Sequence, residues 1–538
     1  MKAMKVLVID ALARARGKRY STFDVVGAGP RIVAGIIRKK GFTTELKAYE
    51  LLFGEDTDIA SYDIISISIM STDKGALENI LALLERKRFS GPVIVGGPAS
   101  FEYNMLLKTY KRIDCVIVGE AEIPLSMLLE RIDLLIARDW SELAKIPGLA
   151  FRSGKKIILS SKPVHTPSDT LSKIKPWTAI ERSYPSYKAM RYYVEVLRGC
   201  SNFQRPLMKK YGLNCIGCFS CRSKYLDERI TCPKNIPPGC GFCSVPYMFG
   251  PPRSREVKSI VNEVVELIEH GAKRIVLSAP DFLDYGRDRL VAPKPLTDPC
   301  RPAPNLDAIE ALLAELSTLH PVRRRDVVIM IENIKACLVN EAVASLLGKY
   351  LKNTTVHIGL ETGDDYFNEK ILGKPITVNH VYQAVKLLSK HGLRPYVYLM
   401  YGLPFMSRSV YVKTIKAVKE LTALPLEKIT LYKYIRLPGT AFEKVKYSIT
   451  GKEDLVRKLK NLVRAFNEER KKNLIGKTIE VYLAYSRHKY YGYPAHHGPV
   501  VFVHGLTSKG FDGCKALVRI TGIRERYVHG EFIKILSC

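Results

Sequence analysis

The stretch PPGCGFCSVP, residues 237–246, sets Cys240 and Cys243 two positions apart with Phe242 between them. Thiols at this spacing suit a zinc site, a redox pair or part of an iron–sulfur cage. The surroundings narrow the choice. Seven of the twelve cysteines, Cys200, Cys215, Cys218, Cys221, Cys232, Cys240 and Cys243, crowd into one region. Clustered thiols in a cytosolic chain point to metal rather than disulfides. The scattered ones, Cys115, Cys300, Cys337, Cys514 and Cys538, read as small buried hydrophobes.

At 538 residues the chain is too long for one core, and its 46% hydrophobic content describes a globular protein. No apolar run is long enough to span a bilayer, and the start MKAMKVLVID reads as a strand, not a signal peptide. We therefore expect a cytoplasmic protein with no membrane partner. The formal net charge of +31 favours polyanions, RNA first; a generally basic proteome is the plain alternative.

Residues 1–145 alternate short Val/Ile runs with helical patterns, as in a doubly wound parallel sheet. Ligands of such sheets sit at the strand carboxyl ends. Those ends carry Asp10, the turn Ser71–Thr72–Asp73, GGPAS with Gly96 and Gly97, and GEAE with Gly119. Residues 146–190 read as a connector that includes a hairpin. A second strand–helix series, residues 191–445, fits a partial (β/α)6 barrel interrupted by an insertion at 201–238. Residues 446–473 read as a basic linker helix, and 474–538 as a small β-barrel. The fold class is thus α/β: a flavodoxin-like sheet, a partial barrel, then a small C-terminal β-barrel.

The first barrel strand ends in LRGC, which supplies Cys200. Three thiolates can hold three irons of a 4Fe–4S cluster and leave the fourth open for a ligand. RGC and CGFCSVP resemble the two halves of the radical S-adenosylmethionine motif, pulled apart by the insertion. Cys232 is the alternative first ligand. The stretches RSREVKSIVNEVVELIEHGAKRIVLSAPDFLDYGRD, GLETGDDYFNEKILGKPITVNH and RLPGTAFE resemble the barrels of methylthiotransferases and their relatives. The resemblance implies that Ser278 and Asp281 hold the methionyl amino group of S-adenosylmethionine and that Glu361 lies near its ribose. It also implies an external electron donor. Cys215, Cys218, Cys221 and Cys232 suit an auxiliary iron–sulfur cluster, a zinc site or no metal at all.

The N-terminal sheet resembles the cobalamin-binding domain that precedes many radical S-adenosylmethionine barrels, with Ser71, Thr72, Gly96, Gly97 and Gly119 as the positions facing cobalamin. A sheet that only packs is the alternative. No histidine precedes His165, so an axial histidine is not expected from this domain. Cys115 is its sole cysteine, whereas the corresponding domain of methylthiotransferases carries three. The C-terminal segment resembles a TRAM domain, basic and interleaved with Tyr490, Tyr491, Tyr493 and Phe502, as RNA binding requires. His496 and His497 read as an exposed loop. Three functions remain open: methyl or methylthio transfer to RNA, foremost tRNA; cobalamin-dependent methyl transfer to a small molecule, lipid or peptide; and a metal-stapled RNA-binding protein without catalysis.

Overall fold

The computed structural model describes residues 4–12, 24–54, 57–207, 215, 217–486 and 488–538. Parts of the Cys-rich insertion, 208–214 and 216, lie outside the described residues. The chain forms two compact units, Met1–Val194 with Arg255–Lys273, and Glu195–Ser254 with Arg274–Cys538.

In the first unit the strands Thr43–Ala48, Lys5–Asp10, Ile64–Ser68, Val93–Gly96 and Cys115–Ile117 lie side by side in that order, all parallel. Counted along the chain this is the order 2-1-3-4-5 of a flavodoxin-like sheet, with its switch point between the first and third strands. Val/Ile runs form these strands because helices such as Ala28–Lys39 and Lys74–Arg86 bury their apolar residues against the sheet. The hairpin Leu149–Ser153 and Lys156–Leu159, expected in a connector, instead extends this sheet by pairing antiparallel to Cys115–Ile117. Leu149, Ala150 and Phe151 are apolar and buried there, so the hairpin covers an otherwise open edge.

The helix Val257–Glu269 also belongs to this unit, although its sequence reads as part of the barrel series. Its Glu263 carboxylate meets Arg31 at 2.6 Å and Arg255 at 2.7 Å, with all three side chains buried. Burial alone would raise the Glu263 pKa, but the two guanidiniums outweigh it and hold the carboxyl below its usual range.

In the second unit Arg274–Ser278 runs parallel to Val328–Ile331, and Asn333–Ile334, Thr355–Glu361, Arg394–Tyr401 and Lys428–Lys433 form a second parallel set. Helices connect them, and their starts follow capping chemistry: Thr377 with His380 forms a capping box, and Asn305, Asn340 and Ser407 cap by side chain. The C-terminal segment closes into a five-stranded barrel, in the order Thr478–Ser486, Lys489–Pro494, Val500–His504, Tyr527–Ser537, Lys515–Ile523. Lys489–Pro494 is missed by its pattern because KYYGYP carries a glycine and a proline. Gly492 is required there, since a Cβ would stand 2.7 Å from Val481.

Three sequence expectations are corrected here. Tyr490 and Tyr493 are buried, at 1% and 7% exposure, so they do not face solvent. His496 and His497 are not an exposed loop: His497 packs on His357 and Tyr396, at 5.5 Å between ring centroids in each case. Of the scattered cysteines only Cys115 is a free buried thiol. Cys300 pairs with Cys337 and Cys514 with Cys538 as disulfides, whose partners lie 37 and 24 residues apart and share no local motif.

Candidate active site

The site is built where Leu197–Arg198 gives way to Gly199 and Cys200. Gly199 has φ +88°, and a Cβ there would lie 2.2 Å from the Pro251 carbonyl oxygen, so only glycine lets the chain turn beside this backbone. The turn delivers Cys200 toward the loop of Cys240 and Cys243. The Asn202 amide group donates to Cys240 Sγ at 3.3 Å and to the Gly373 carbonyl at 3.0 Å, while its backbone N–H donates to Cys200 Sγ at 3.4 Å. The Gly241 N–H donates to the Leu372 carbonyl and its own carbonyl accepts from the Phe442 N–H, which fixes the C-x-x-C loop against the later barrel segments.

Burial pushes the Cys200 thiol up to about 11 and that of Cys243 up to about 12, and it raises Cys240 as well. Lys335 pulls against this at Cys200, Lys374 at Cys243, and both at Cys240. Among the described residues no three His, Cys, Asp or Glu side chains close on one point as a single ion demands. A cluster differs, because each thiolate takes its own iron. Three converging thiols with amide donors and two half-buried ammonium groups therefore suit a 4Fe–4S cluster.

The two lysines were not legible as site residues. Lys335 Nζ lies 2.7 Å from Asp281, 2.7 Å from Asp284 and 3.0 Å from the Ser201 hydroxyl. Arg287 also pairs with Asp284. Burial raises the Asp281 pKa above its ordinary value despite Lys335; for Asp284 the burial penalty is outweighed by Lys335 and Arg287, and its carboxyl is held low. Asp281 thus sits at the expected strand end but inside a charge network. Ser278 ends the strand Arg274–Ser278, its carbonyl accepting from the Val196 N–H at 3.0 Å.

Glu361 lies near the C-x-x-C loop, paired to Lys374 at 2.6 Å. Its backbone has φ +68°, a strained conformation for a non-glycine residue that turns the strand end. A Cβ on Gly359 would stand 2.5 Å from both the Glu361 carboxylate and Lys374 Nζ, so glycine leaves room for the pair.

In the insertion, Arg205 is buried and donates to the carbonyls of Ile236, Arg229 and Ile230 at 2.8, 2.7 and 2.8 Å. Burial lowers its pKa; Cys232, Cys221 and Cys218 lie close enough to pull it back up. Cys215 accepts from the Gly217 N–H at 3.4 Å. Cys232 therefore shares its surroundings with Cys218 and Cys221, whereas Cys200 shares those of Cys240 and Cys243.

In the first unit Ser71 and Thr72 occupy the turn after Ile64–Ser68, held by the buried Asp73, which accepts from the Met70 N–H at 2.8 Å. Gly96 and Gly97 end the next strand, and Gly119 donates to the Ser100 hydroxyl at 3.2 Å. All five positions thus line neighbouring strand ends. Gly97 has φ +88° and a Cβ there would lie 2.6 Å from the Ile69 oxygen, which explains the glycine structurally.

The class is given by a family model: that of the radical SAM superfamily, iron–sulfur enzymes of the S-adenosylmethionine-cleaving kind, matches residues 231–418. The chain belongs to the radical SAM superfamily and uses a 4Fe–4S cluster and S-adenosylmethionine. The chain also shares nearly its whole length with two relatives. One is an uncharacterized protein of Methanopyrus kandleri, 37% identical over 99% of this chain and 97% of that one. The other is an uncharacterized protein of Methanocaldococcus jannaschii, 38% identical over 99% and 100%. The ribosomal protein uS12 methylthiotransferase RimO of Clostridium perfringens is 26% identical over 47% of this chain and 53% of its own. Among solved structures, the radical S-adenosylmethionine methyltransferase TsrM of Kitasatospora setae, with cobalamin and a [4Fe-4S] cluster bound, shares the fold. Its TM-score is 0.57 at 14% identity, covering 82% of this chain and 74% of that one.

Proposed function

We propose that the enzyme transfers a methyl or methylthio group to RNA, tRNA foremost, and that Cys200, Cys240 and Cys243 hold the radical cluster. The observation that carries the ligand assignment is the convergence of these thiols beside Lys335 and Lys374. When bound, the cluster supplies the electron that splits S-adenosylmethionine into methionine and a 5′-deoxyadenosyl radical. The chain's own residues do the positioning. Ser278 and Asp281 meet the methionyl amino group, and Lys335 keeps Asp281 oriented for it. Glu361, steadied by Lys374, faces the ribose hydroxyls. Asn202 keeps two thiolate sulfurs in register. Burial excludes water from the radical's surroundings.

Cys215, Cys218, Cys221 and Cys232 would hold a second metal group, foremost an iron–sulfur cluster, in which each thiolate takes its own iron; a single zinc would need the four sulfurs drawn closer together than they lie. The strand ends carrying Ser71, Thr72, Gly96, Gly97 and Gly119 take cobalamin, a reading supported by the likeness to TsrM. That likeness also favours a second reading, in which the methyl acceptor is a small molecule and the basic charge is incidental.

The test is anaerobic reconstitution followed by iron, sulfide, zinc and cobalamin analysis of wild type and Cys200→Ala. About eight irons with cobalamin retained support two clusters and methyl transfer, while about four irons and one zinc make the insertion structural. If Cys200→Ala keeps its full iron and still cleaves S-adenosylmethionine, the assignment fails and Cys232 is the first ligand.

A further inference from the structure

The first unit holds a basic cavity at the amino ends of its parallel strands, the ends opposite those that carry Ser71, Gly96 and Gly119. Its volume is about 410 Å³, within the range of small-molecule sites. Ser90 precedes the strand Val93–Gly96, Asp114 precedes Cys115–Ile117, and Arg152 lies on the hairpin strand Leu149–Ser153 beside it. The lining brings Lys111, Arg112, Arg138 and Arg152 together with one carboxylate, Asp114. That carboxylate accepts from the Val93 N–H at 2.8 Å, from Arg112 at 3.1 Å and from Arg138 at 2.8 Å. The acids next along the chain are engaged elsewhere: Asp139 caps the helix Trp140–Leu143, and Glu142 pairs with Lys145. Arg152 donates to the carbonyls of Leu107, Lys111 and Ile113, which occupy its N–H groups without cancelling its charge. Burial lowers its pKa, with Asp114 acting against the shift. Among the described residues neither Arg152 nor Lys111 forms an ion pair with a carboxylate.

A cavity with surplus positive charge favours an anion, and Trp140 narrows the choice. Its indole stacks on the buried Phe151, with centroids 5.0 Å apart and planes 10° from parallel, and it borders the cavity. Phe151 therefore holds the indole flat while leaving it partly exposed. A fixed flat ring beside guanidinium and ammonium groups matches a base that carries phosphates. Stacking takes the base, and charge-assisted hydrogen bonds take the phosphate oxygens. Four cations against one carboxylate leave more positive charge than a single phosphate group, at about −2, offsets. We propose that this cavity binds a free nucleoside diphosphate, its base on Trp140 and its phosphates on Lys111, Arg138 and Arg152. Arg112, tied to Asp114 and to the carbonyls of Phe89 and Gly91, is the wall that holds the others in place. The site uses none of the residues proposed for the cluster, S-adenosylmethionine or cobalamin, and it stands apart from the choice of methyl acceptor.

Trp140 and Trp177 are the only tryptophans, so Trp177→Phe leaves Trp140 as the sole reporter. The test uses the reconstituted full chain with that substitution, with S-adenosylmethionine present to keep the probe out of its own site. Trp140 fluorescence, excited beyond the absorption of the bases, is followed against ADP and against pyrophosphate. ADP should quench it saturably, and pyrophosphate should displace ADP without quenching. Pyrophosphate should bind about 5- to 150-fold more weakly than ADP, the worth of one stacked base. Lys111→Ala with Arg138→Gln, at two exposed positions whose loss leaves Asp114 paired to Arg112, should weaken ADP about 10-fold or more. Trp140→Leu, read by equilibrium dialysis of radiolabelled ADP, should bring ADP down to the affinity of pyrophosphate. No saturable quench below about 1 mM ADP overturns the site. Equal affinity for ADP and pyrophosphate in the Trp140 protein overturns the nucleotide assignment, and a small-anion site replaces it. ADP affinity unchanged by the Lys111 and Arg138 substitutions overturns the phosphate contacts.

Discussion

Lys335→Met removes the ammonium that lies 2.7 Å from each of two carboxylates, Asp281 and Asp284, which are 1% and 0% exposed at the side chain. At an effective dielectric of about 20 each contact is worth about 6 kcal/mol before desolvation. Most of that offsets the burial of the charges, and breaking such a network by deleting one partner costs about 3–5 kcal/mol. Asp284 keeps Arg287, so Asp281 bears the loss. Burial already raises the Asp281 pKa, and without Lys335 it climbs further. A carboxyl whose folded pKa exceeds its unfolded value holds an extra proton in the native state, so stability falls as pH rises through that interval. The deficit of Lys335→Met should therefore be about 3–5 kcal/mol at pH 7 and shrink toward pH 5, measured by urea unfolding of the apoprotein. Adding Asp281→Asn should recover most of it. A deficit under about 1 kcal/mol, or one that Asp281→Asn does not relieve, refutes the network as described.

Gly199→Ala forces a side chain onto φ +88° and against the Pro251 oxygen; it should cost at least about 2 kcal/mol and lower the iron retained after reconstitution. Denatured apoprotein kept free of reductant should show eight reactive thiols, rising to twelve after reduction; twelve at the outset would exclude the disulfides Cys300–Cys337 and Cys514–Cys538. Burial pushes His496 down to about 4, so the unfolded chain takes a proton there first and stability falls as pH drops from about 6.5 toward 4. His496→Gln should flatten that part of the pH–stability curve.

The sheet and barrel strands were legible because Val/Ile runs alternate with amphipathic segments, a pattern local to each element. The three thiols proposed as the triad stand out in the sequence because LRGC and CGFC resemble the two halves of one motif despite the insertion between them. Lys335 and Lys374 were not, since a lysine becomes a site residue only when tertiary packing buries it beside a carboxylate or thiol. The same reason hid the disulfides. Period-2 alternation alone would have separated Tyr490 from Tyr491, but the glycine and proline of KYYGYP masked that strand.

The Arg31–Glu263 pair joins the twelve-residue helix Ala28–Lys39 to a helix that follows the cysteine loops in sequence. A fragment ending at Val194 would leave Arg31 its carbonyl partners at Trp177 and Tyr193 but not its carboxylate. During synthesis the first unit therefore stays incomplete until residues 255–273 emerge, and Cys200, Cys240 and Cys243 are by then already outside the ribosome. The three thiols proposed as cluster ligands are therefore synthesised before the N-terminal core can close.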